Sequence, residues 1–188
     1  FVYEANIRYL HHLGEVTYFS PLADTSLPDA GFVYLPGGYP ELYLAALSAN
    51  RQMLQSIRRY VESGGKLLAE CGGMMYLCDE IRDKNGDVYP MAGVLHQSAT
   101  MENMKLRLGY RTLLYNETRL KGHEFHYSRL VEQQNPLPSC AVAYTAKGVE
   151  TDTPLYHYKN VWAGYTHLYW ADPVGNEWFT KFVIDGNT

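Results

Sequence analysis

One cysteine of this sequence lies where the surrounding backbone could activate its chemistry. Cys71 follows the apolar run of residues 67–69 and precedes Gly72 and Gly73, after which apolar residues return at helical spacing through Ile81. The run has no helical period, which favours a strand buried on both faces. A thiol between such a strand and a helix would lie at the positive end of the helix dipole, beside N–H groups without helical partners, and both effects lower a thiol pKa. The pattern predicts a nucleophile elbow with cysteine in place of serine, and a buried structural cysteine is the open alternative.

A cysteine nucleophile needs a base, which is usually a histidine that the fold brings near. The sequence has seven histidines. The best candidates lie in two aromatic, strand-like runs that each follow a glycine, with His123 and His126 in the first run and His167 in the second. From the pattern alone, these residues could equally be packed core histidines. The other two cysteines, Cys78 and Cys140, are interpreted as small core residues.

A metal or phosphate site finds little support in the sequence. His123, Glu124 and His126 carry ligand atoms, but residues three apart on a strand point to opposite faces. No loop has the glycine, lysine and hydroxyl pattern of a P-loop, and the turn at residues 36–38 lacks the lysine. We therefore expect neither a metal site nor an ATP site in this chain.

Composition narrows the function classes. A chain of 188 residues suits a single domain with a full hydrophobic core. The formal charge of −4, without a run of like charges, argues against binding to nucleic acid or an anionic membrane, and no stretch is long and apolar enough to span a membrane. Three cysteines without a paired spacing argue against a disulfide framework and indicate a reducing, cytoplasmic setting. The 17 tyrosines and 3 tryptophans indicate amphipathic strands and a packed core.

The elements that would position the cysteine alternate between strand and helix in the first half. Residues 4–13 carry one apolar stripe and predict an opening helix that Gly14 ends. The next elements are a strand at 16–19, a loop at 21–30, a strand at 31–35, a short helix from about 39 to 47, a helix from its cap at Asn50 to Gly64, and the strand before Cys71. Strands that alternate with helices predict a parallel, doubly wound sheet. Such sheets bind ligands at the carboxyl ends of their strands, so Gly37, Gly38 and Cys71 are expected to face one crevice.

The second half of the sequence has a different pattern. From residue 91 to about residue 170, apolar and polar residues alternate in short runs such as 104–108 and 155–158. These runs predict strands with one solvated face, which are mostly antiparallel. Asp172 and Pro173 predict the start of a last helix. Its apolar side comprises Val174, Trp178, Phe182 and Val183.

Four ordered motifs give the sequence a specific resemblance. They are Leu-Pro-Gly-Gly-Tyr-Pro-Glu at 35–41, Ala-Glu-Cys-Gly-Gly-Met-Met-Tyr-Leu at 69–77, Gly-His-Glu-Phe-His-Tyr-Ser at 122–128 and Tyr-Thr-His-Leu at 165–168. With these motifs, the sequence resembles the C-terminal glutamine amidotransferase domains of cobyrinic acid a,c-diamide synthases, from about residue 3 to about residue 170.

That resemblance implies the architecture. It implies a flavodoxin-like class I glutamine amidotransferase fold, which is an α/β fold with a mainly parallel central sheet flanked by helices and an additional antiparallel strand region in the second half. Residues 1–188 would form one glutaminase domain. The first strand of that domain and the upstream ATP-dependent synthetase domain would be absent from this sequence, which opens on a helix.

The resemblance also assigns roles to individual residues. Cys71 matches the nucleophile that attacks the carboxamide of glutamine and forms a thioester. His167 matches the histidine that acts as its base and then protonates the departing ammonia. We expect the backbone N–H groups of Gly38 and Gly72 to form the oxyanion hole.

One position departs from the usual pattern of such sites. Many related amidotransferases have a glutamate two residues after the histidine, where this sequence has Tyr169. The partner that orients the histidine is therefore open: Glu70, Glu124 or a backbone carbonyl could serve, or there could be only a dyad. His126 remains a rival base.

The implied partners lie mostly outside this sequence. Ammonia would pass to the synthetase domain of the same polypeptide, where ATP and Mg²⁺ activate a carboxylate of the corrinoid acceptor; the glutaminase domain itself would need no cofactor. The acceptor would be cobyrinic acid, amidated at its a and c carboxylates in cobalamin biosynthesis, with hydrogenobyrinic acid or a nickel tetrapyrrole as alternatives. Two other functions stay open, namely a stand-alone cysteine hydrolase of the same fold and a non-catalytic domain that docks to a synthetase.

Overall fold

Helices and three sheets organise the chain. The computed structural model describes residues 1–185. Its helices are α1 (Glu4–Leu13), α2 (Leu44–Ala49), α3 (Arg51–Glu62), α4 (Gly72–Leu77) and α5 (Pro173–Thr180). Its strands are β1 (Phe32–Leu35), β2 (Lys66–Glu70), β3 (Glu80–Arg82), β4 (Val88–Pro90), β5 (Ser98–Thr100), β6 (Arg107–Tyr115), β7 (Thr118–His126), β8 (Arg129–Leu130), β9 (Val142–Thr145), β10 (Glu150–Thr151), β11 (Leu155–Tyr158), β12 (Val161–Gly164) and β13 (His167–Leu168). A 3₁₀ turn, Pro40–Leu42, precedes α2, and a π-helical turn, Lys181–Asp185, follows α5.

The central sheet joins the two halves of the chain. Its order is β1-β2-β12-β11, with the first three strands parallel and β11 antiparallel at one edge. Leu67, Leu68 and Ala69 of β2 are all buried. Leu67 and Ala69 pack in one apolar cluster, and Leu68 packs in a second cluster with Trp162. The prediction of a strand buried on both faces is therefore confirmed.

The predicted helix caps are present. Asn50 and Asp172 each accept a hydrogen bond from a backbone N–H in the first turn of α3 and α5, at 3.3 and 2.7 Å. On the last helix, Trp178 and Phe182 are buried as expected, but Val174 is wrong as a core residue because its side chain faces solvent. Among residues 1–185, no helix combines the length and the apolar character that crossing a membrane requires.

One predicted strand is not formed. Residues 16–19 pair with no other strand in the part of the chain that the structure describes. These residues and β1 line the same groove. An extended segment becomes a strand only when a neighbouring backbone completes the hydrogen-bonded ladder. The expectation of a strand at 16–19 is wrong for that reason.

Two helix boundaries also differ from the expectation. The helix expected from 39 to 47 is a 3₁₀ turn followed by α2, because Tyr43 between them leaves helical geometry with φ −134° and ψ 20°. The helix after the elbow ends at Leu77, since Cys78 is extended with ψ 169°. Ile81 consequently lies in β3 instead of continuing that helix.

The alternating second half forms antiparallel strands, as its pattern predicts. The strands β10-β9-β6-β7-β13 make a five-stranded antiparallel sheet, and β4-β3-β5-β8 make a four-stranded sheet in which β3 and β5 are parallel. The strand expected at 104–108 begins only at Arg107. The short β13 leaves the end of β12 and pairs with β7, so that His167 lies opposite His123.

A buried asparagine of α1 holds the segment that contains β13. The Asn6 side chain is fully buried. Its Nδ2 donates to the carbonyl of Leu168 at 2.7 Å, and its Oδ1 accepts from the N–H of Trp170 at 2.9 Å. These two bonds satisfy buried backbone groups as a neighbouring strand would. The first helix therefore fixes the position of β13.

Candidate active site

Cys71 occupies the tight junction between β2 and α4. Its backbone has φ 50° and ψ −109°, a left-handed conformation that costs a residue other than glycine about 1–3 kcal/mol. Two hydrogen bonds hold it there: its N–H donates to the carbonyl of Gly164 at 2.8 Å, and its carbonyl accepts from the N–H of Met75 at 3.0 Å. The predicted elbow is confirmed, and its strain is compensated by neighbouring elements.

The thiol of Cys71 is in a different electrostatic state from the one expected. Its side chain is buried, with Sγ 3.7 Å from the carbonyl oxygen of Phe125. Burial raises the pKa of Cys71 to about 12, and the negative charge of Glu41 acts in the same direction. A hydrogen bond from the N–H of Gly72 lowers this pKa but does not offset the burial. The expectation of a lowered thiol pKa is wrong because desolvation outweighs the start of a six-residue helix. The resting sulfur is a neutral thiol.

The loop of Gly37 and Gly38 contacts both sides of the crevice. A methyl group at Gly37 would overlap the imidazole of His167, and a methyl group at Gly72 would overlap the backbone of Gly38. The loop after β1 therefore lies between the histidine and the start of α4. Gly38 thus lies beside Gly72, which follows Cys71 directly, and the shared crevice of Gly38 and Cys71 stays a prediction.

His167 is a neutral base in the resting site. Its side chain is almost fully buried, and its ring stacks on His123 with 5.1 Å between the ring centroids. Burial lowers the pKa of His167 to about 4, and positive charge on His123 and on the amino terminus lowers it further. A neutral imidazole is the form of histidine that can accept a proton from a thiol.

Glu70 lies closest to the buried ring nitrogen of His167, which is Nδ1. Its Oε2 lies 3.9 Å from Nδ1 of His167, and Nδ1 has no hydrogen-bond partner within residues 1–185. Tyr34 donates its hydroxyl to Oε2 at 2.6 Å, and the N–H of Leu168 donates to Oε1 at 3.0 Å. Burial raises the pKa of Glu70 to about 8, although both hydrogen bonds act in the opposite direction.

Glu124 and His126 lie on the opposite face of β7 from His123. Glu124 is buried and forms an ion pair with Arg111. The two ring nitrogens of His126 face the Glu124 carboxylate at 3.3 Å and the carbonyl of Ser128 at 2.8 Å. Both nitrogens are thus engaged within the protein. The structure brings neither residue to His167, and the strand alternation used in the metal argument is confirmed.

The two remaining cysteines differ in how deeply they are buried. Cys78 is fully buried, which confirms it as a core residue, whereas Cys140 is only half-buried. Among residues 1–185, no three histidine, cysteine, aspartate or glutamate side chains converge as metal ligands.

Sequence reasoning missed two residues of the site, namely Tyr34 and Asn6. Their contacts span 36 and 162 residues of sequence and left no local signal.

The sequence matches one protein family and is similar to several synthases. A family model described as the CobB/CobQ-like glutamine amidotransferase domain matches residues 1–174. Hydrogenobyrinate a,c-diamide synthase of Pseudomonas aeruginosa is 39% identical over 175 residues, and cobyrinate a,c-diamide synthase of Fusobacterium nucleatum is 39% identical over 178 residues. Each alignment covers 90% of this chain, but the chain spans only 38% and 39% of those relatives' lengths.

One solved structure supports the fold. A crystal structure of a glutamine amidotransferase matches with a TM-score of 0.51 and 18% sequence identity, covering 81% of this chain and 79% of that chain. At this identity the likeness concerns the fold alone. It confirms the expected class I amidotransferase fold, with a parallel central sheet, flanking helices and an added antiparallel region.

Exchange of Gly37 for alanine tests the close contact at the centre of the crevice. Gly37→Ala should displace the His167 ring, because the added methyl group overlaps it. Gly38→Ala is the matched control, since within the described residues nothing lies within 4 Å of a methyl group there. NMR spectra of the imidazole signals, with His167→Asn for assignment, should show a shifted His167 signal only for Gly37→Ala. An unchanged signal in that variant would contradict the contact.

Acid should destabilise the fold through His167. The histidine has an ordinary pKa of 6.5 and a folded pKa of about 4, so the folded state binds fewer protons between these values. Its contribution to stability is complete above pH 6.5 and is lost as pH falls towards 4, by about 3 kcal/mol at most.

Urea unfolding from pH 7 to pH 4.5 measures this loss. The free energy of unfolding should fall less steeply in His167→Asn than in the wild-type protein, whereas His12→Asn, at an exposed position of α1, should keep the wild-type slope. Equal slopes for the wild-type protein and His167→Asn would refute the assignment of this loss to His167.

Proposed function

This chain belongs to the family of CobB/CobQ-like glutamine amidotransferase domains, and we propose that its crevice hydrolyses glutamine through a thioester on Cys71. The observation that carries the proposal is the arrangement of a strained cysteine elbow and a buried neutral histidine around one glycine loop. The ammonia would pass to a synthetase domain of the same polypeptide. Relatives that are longer than this chain leave room for such a domain.

The proposed reaction begins with both catalytic groups neutral. When the carboxamide of glutamine enters, Sγ of Cys71 attacks its carbon while His167 takes the thiol proton. Because Nδ1 of His167 faces Glu70, Nε2 is the nitrogen that receives it. The histidine then gives this proton to the amide nitrogen, the carbon–nitrogen bond breaks, and ammonia leaves a thioester behind. Water, deprotonated by the same histidine, cleaves the thioester to glutamate and restores the thiol.

Two backbone N–H groups would stabilise the tetrahedral oxyanion. The backbone of Gly38 lies against Gly72, where an added methyl group would overlap it. Preorganised N–H donors of this kind each contribute about 2.7–4 kcal/mol to transition-state stabilisation.

Glu70 would act as a positioning residue for His167. An imidazolium 3.9 Å from its carboxyl group favours the carboxylate, so the charge that develops on the histidine is balanced as it forms. The hydrogen bonds from Tyr34 and Leu168 hold that carboxyl group in place. Glu70 would thereby take the role of the glutamate that many related amidotransferases have two residues after the histidine, where this chain has Tyr169.

The acceptor is proposed from the relatives' names. Cobyrinic acid, amidated at its a and c carboxylates, is the first choice, and hydrogenobyrinic acid is the alternative, since synthases of both names are similar to this chain. ATP and Mg²⁺ would act in the synthetase domain, with no cofactor in the glutaminase domain. Reduced cysteines fit a cytoplasmic protein, because Cys71, Cys78 and Cys140 are all free thiols.

Loss of the nucleophile tests the proposed function. In the full-length polypeptide, Cys71→Ala should reduce glutamine-dependent amidation by about 10³-fold or more, because the thioester cannot form, while amidation with added ammonium salt continues. Cys140→Ala, which removes a thiol outside the crevice, should leave both activities near the wild-type level. The measurements are glutamate release and the mass of the amidated corrinoid. Glutamine-dependent amidation that survives in Cys71→Ala would refute the proposal.

Replacement of Glu70 separates positioning from binding. Glu70→Gln should lower kcat for glutamine hydrolysis by about 10²-fold while KM changes little, because the lost carboxylate supports the imidazolium and not the substrate. Tyr34→Phe, which removes one hydrogen bond to Glu70, should give a smaller loss of kcat. Glu62→Gln, at an exposed ion pair with Lys159, is the control. An unchanged kcat in Glu70→Gln would contradict this role.

A further inference from the structure

A second histidine lies directly against the proposed base. The strand β13 pairs with β7 in antiparallel register, so that His123 is the cross-strand partner of His167. The two rings stack with 5.1 Å between their centroids and 26° between their planes. Side chains that lie opposite each other on neighbouring strands interact. Through His123, the nine-residue strand β7 therefore supports the imidazole that the two-residue strand β13 carries.

A tyrosine hydroxyl holds His123 in turn. Tyr3 directly precedes α1, and its hydroxyl oxygen lies 3.0 Å from Nδ1 of His123. Within residues 1–185, this hydroxyl has no other hydrogen-bond partner. Burial raises the pKa of Tyr3 to about 12, and the negative charge of Glu70 acts in the same direction. Tyr3 therefore keeps its proton at neutral pH, and Nδ1 of His123 is the acceptor within reach of that proton.

A hydrogen bond of this polarity fixes the charge of His123. A ring nitrogen that accepts a hydrogen bond carries no proton itself, so His123 is neutral with its hydrogen on Nε2. Burial also lowers the pKa of His123. A positive charge on His123 would lower the pKa of His167, because like charges on stacked rings repel each other. Charge on His123 would thus oppose the proton transfer to His167.

We propose that His123 is a positioning residue for His167, and that the hydroxyl of Tyr3 keeps His123 uncharged by donating to its Nδ1. The neutral ring supports the imidazole of His167 across the strand pair and leaves that imidazole able to accept the thiol proton of Cys71. The inference rests on the proposed glutaminase function and deepens it, since it assigns two further residues to the same reaction.

Other titratable groups face the histidine pair from several elements. They are the same in every variant described below, so their effects on the pair cancel when these variants are compared. Within the described part of the chain, none of them forms a hydrogen bond with Nδ1 of His123. These groups are Glu70 of β2, Tyr110 of β6, Glu124 and His126 of β7, Tyr169 after β13, and the amine of Phe1.

The pH dependence of glutamine hydrolysis by the full-length polypeptide tests this role. Tyr3→Phe removes only the hydroxyl, so that His123 should take up a proton at higher pH. A charged His123 hinders the base, and kcat/KM should consequently begin to fall at higher pH as the solution is made more acidic. The midpoint of this acidic fall should rise by about 0.5–1 pH unit, the effect of one lost hydrogen bond.

A double variant shows whether the effect passes through His123. His123→Phe keeps an aromatic ring against His167 but cannot be protonated. In the His123→Phe background, Tyr3→Phe should leave the acidic fall unchanged, so that the two substitutions are not additive. Tyr9→Phe is the matched control, because it removes a hydroxyl of α1 that contacts Asn176 at 3.0 Å, and it should keep the wild-type profile. If His123→Phe does not fold, His123→Asn takes its place.

NMR titration of the histidine signals gives a second measurement that needs no activity. The pKa of His123 should rise in Tyr3→Phe by about the same 0.5–1 pH unit, with the spectrum of His123→Phe for assignment. A rise of the acidic fall that is equal with and without His123 would overturn the proposal. A movement to lower pH would also overturn it, since it would mean that Nδ1 donates to the hydroxyl.

Failure of this inference and failure of the proposed function give different results. An unchanged pKa of His123 in a Tyr3→Phe protein that hydrolyses glutamine would refute the inference alone. A raised pKa of His123 in a polypeptide that does not hydrolyse glutamine would refute the proposed function, while it would confirm the hydrogen bond from Tyr3.

Discussion

The site depends on the close approach of two backbone loops, which follow β1 and β2 and have no side chains between them at their glycines. The parallel register places Leu35 beside Ala69 and Ala69 beside Ala163, so the loops that follow β1 and β2 leave the sheet at the same edge. A side chain at Gly72 would overlap the backbone of Gly38, and a side chain at Gly37 would overlap the His167 ring. The loop of Gly37 and Gly38 therefore contacts the His167 ring on one side and the residue that follows Cys71 on the other.

Desolvation sets the electrostatic state of that crevice. Burial shifts the pKa values of Cys71, His167 and Glu70 in the direction that favours the neutral form of each group. A charged thiolate–imidazolium pair is consequently not the resting state. Charge would appear only as a substrate supplies an electrophile and backbone donors meet the developing oxyanion, which couples nucleophile activation to substrate binding.

The base is positioned by elements far from it in sequence. β13 is only two residues long, and Asn6 of α1 and Glu70 of β2 supply hydrogen bonds to the backbone around it. Glu70, the last residue of β2, accepts a hydrogen bond from this segment, and Cys71 follows it directly in the chain. One strand end thus carries both the nucleophile and the carboxyl group nearest to its base.

The amino-acid sequence by itself determined the elements whose signals are local. The buried strand before Cys71, the elbow and the caps at Asn50 and Asp172 follow from apolar runs, paired glycines and side chains that accept hydrogen bonds from nearby N–H groups. The family resemblance singled out His167, which the local pattern did not separate from His123 and His126.

Only the tertiary structure decided which carboxyl group approaches His167, which direction the thiol pKa takes and whether residues 16–19 pair. Glu124 and Glu70 were equivalent in sequence, but the face of β7 turns the first away and the end of β2 brings the second near. Burial and proximity depend on segments that are distant along the chain. Local patterns specify backbone conformation, whereas desolvation and strand pairing arise only when those segments pack together.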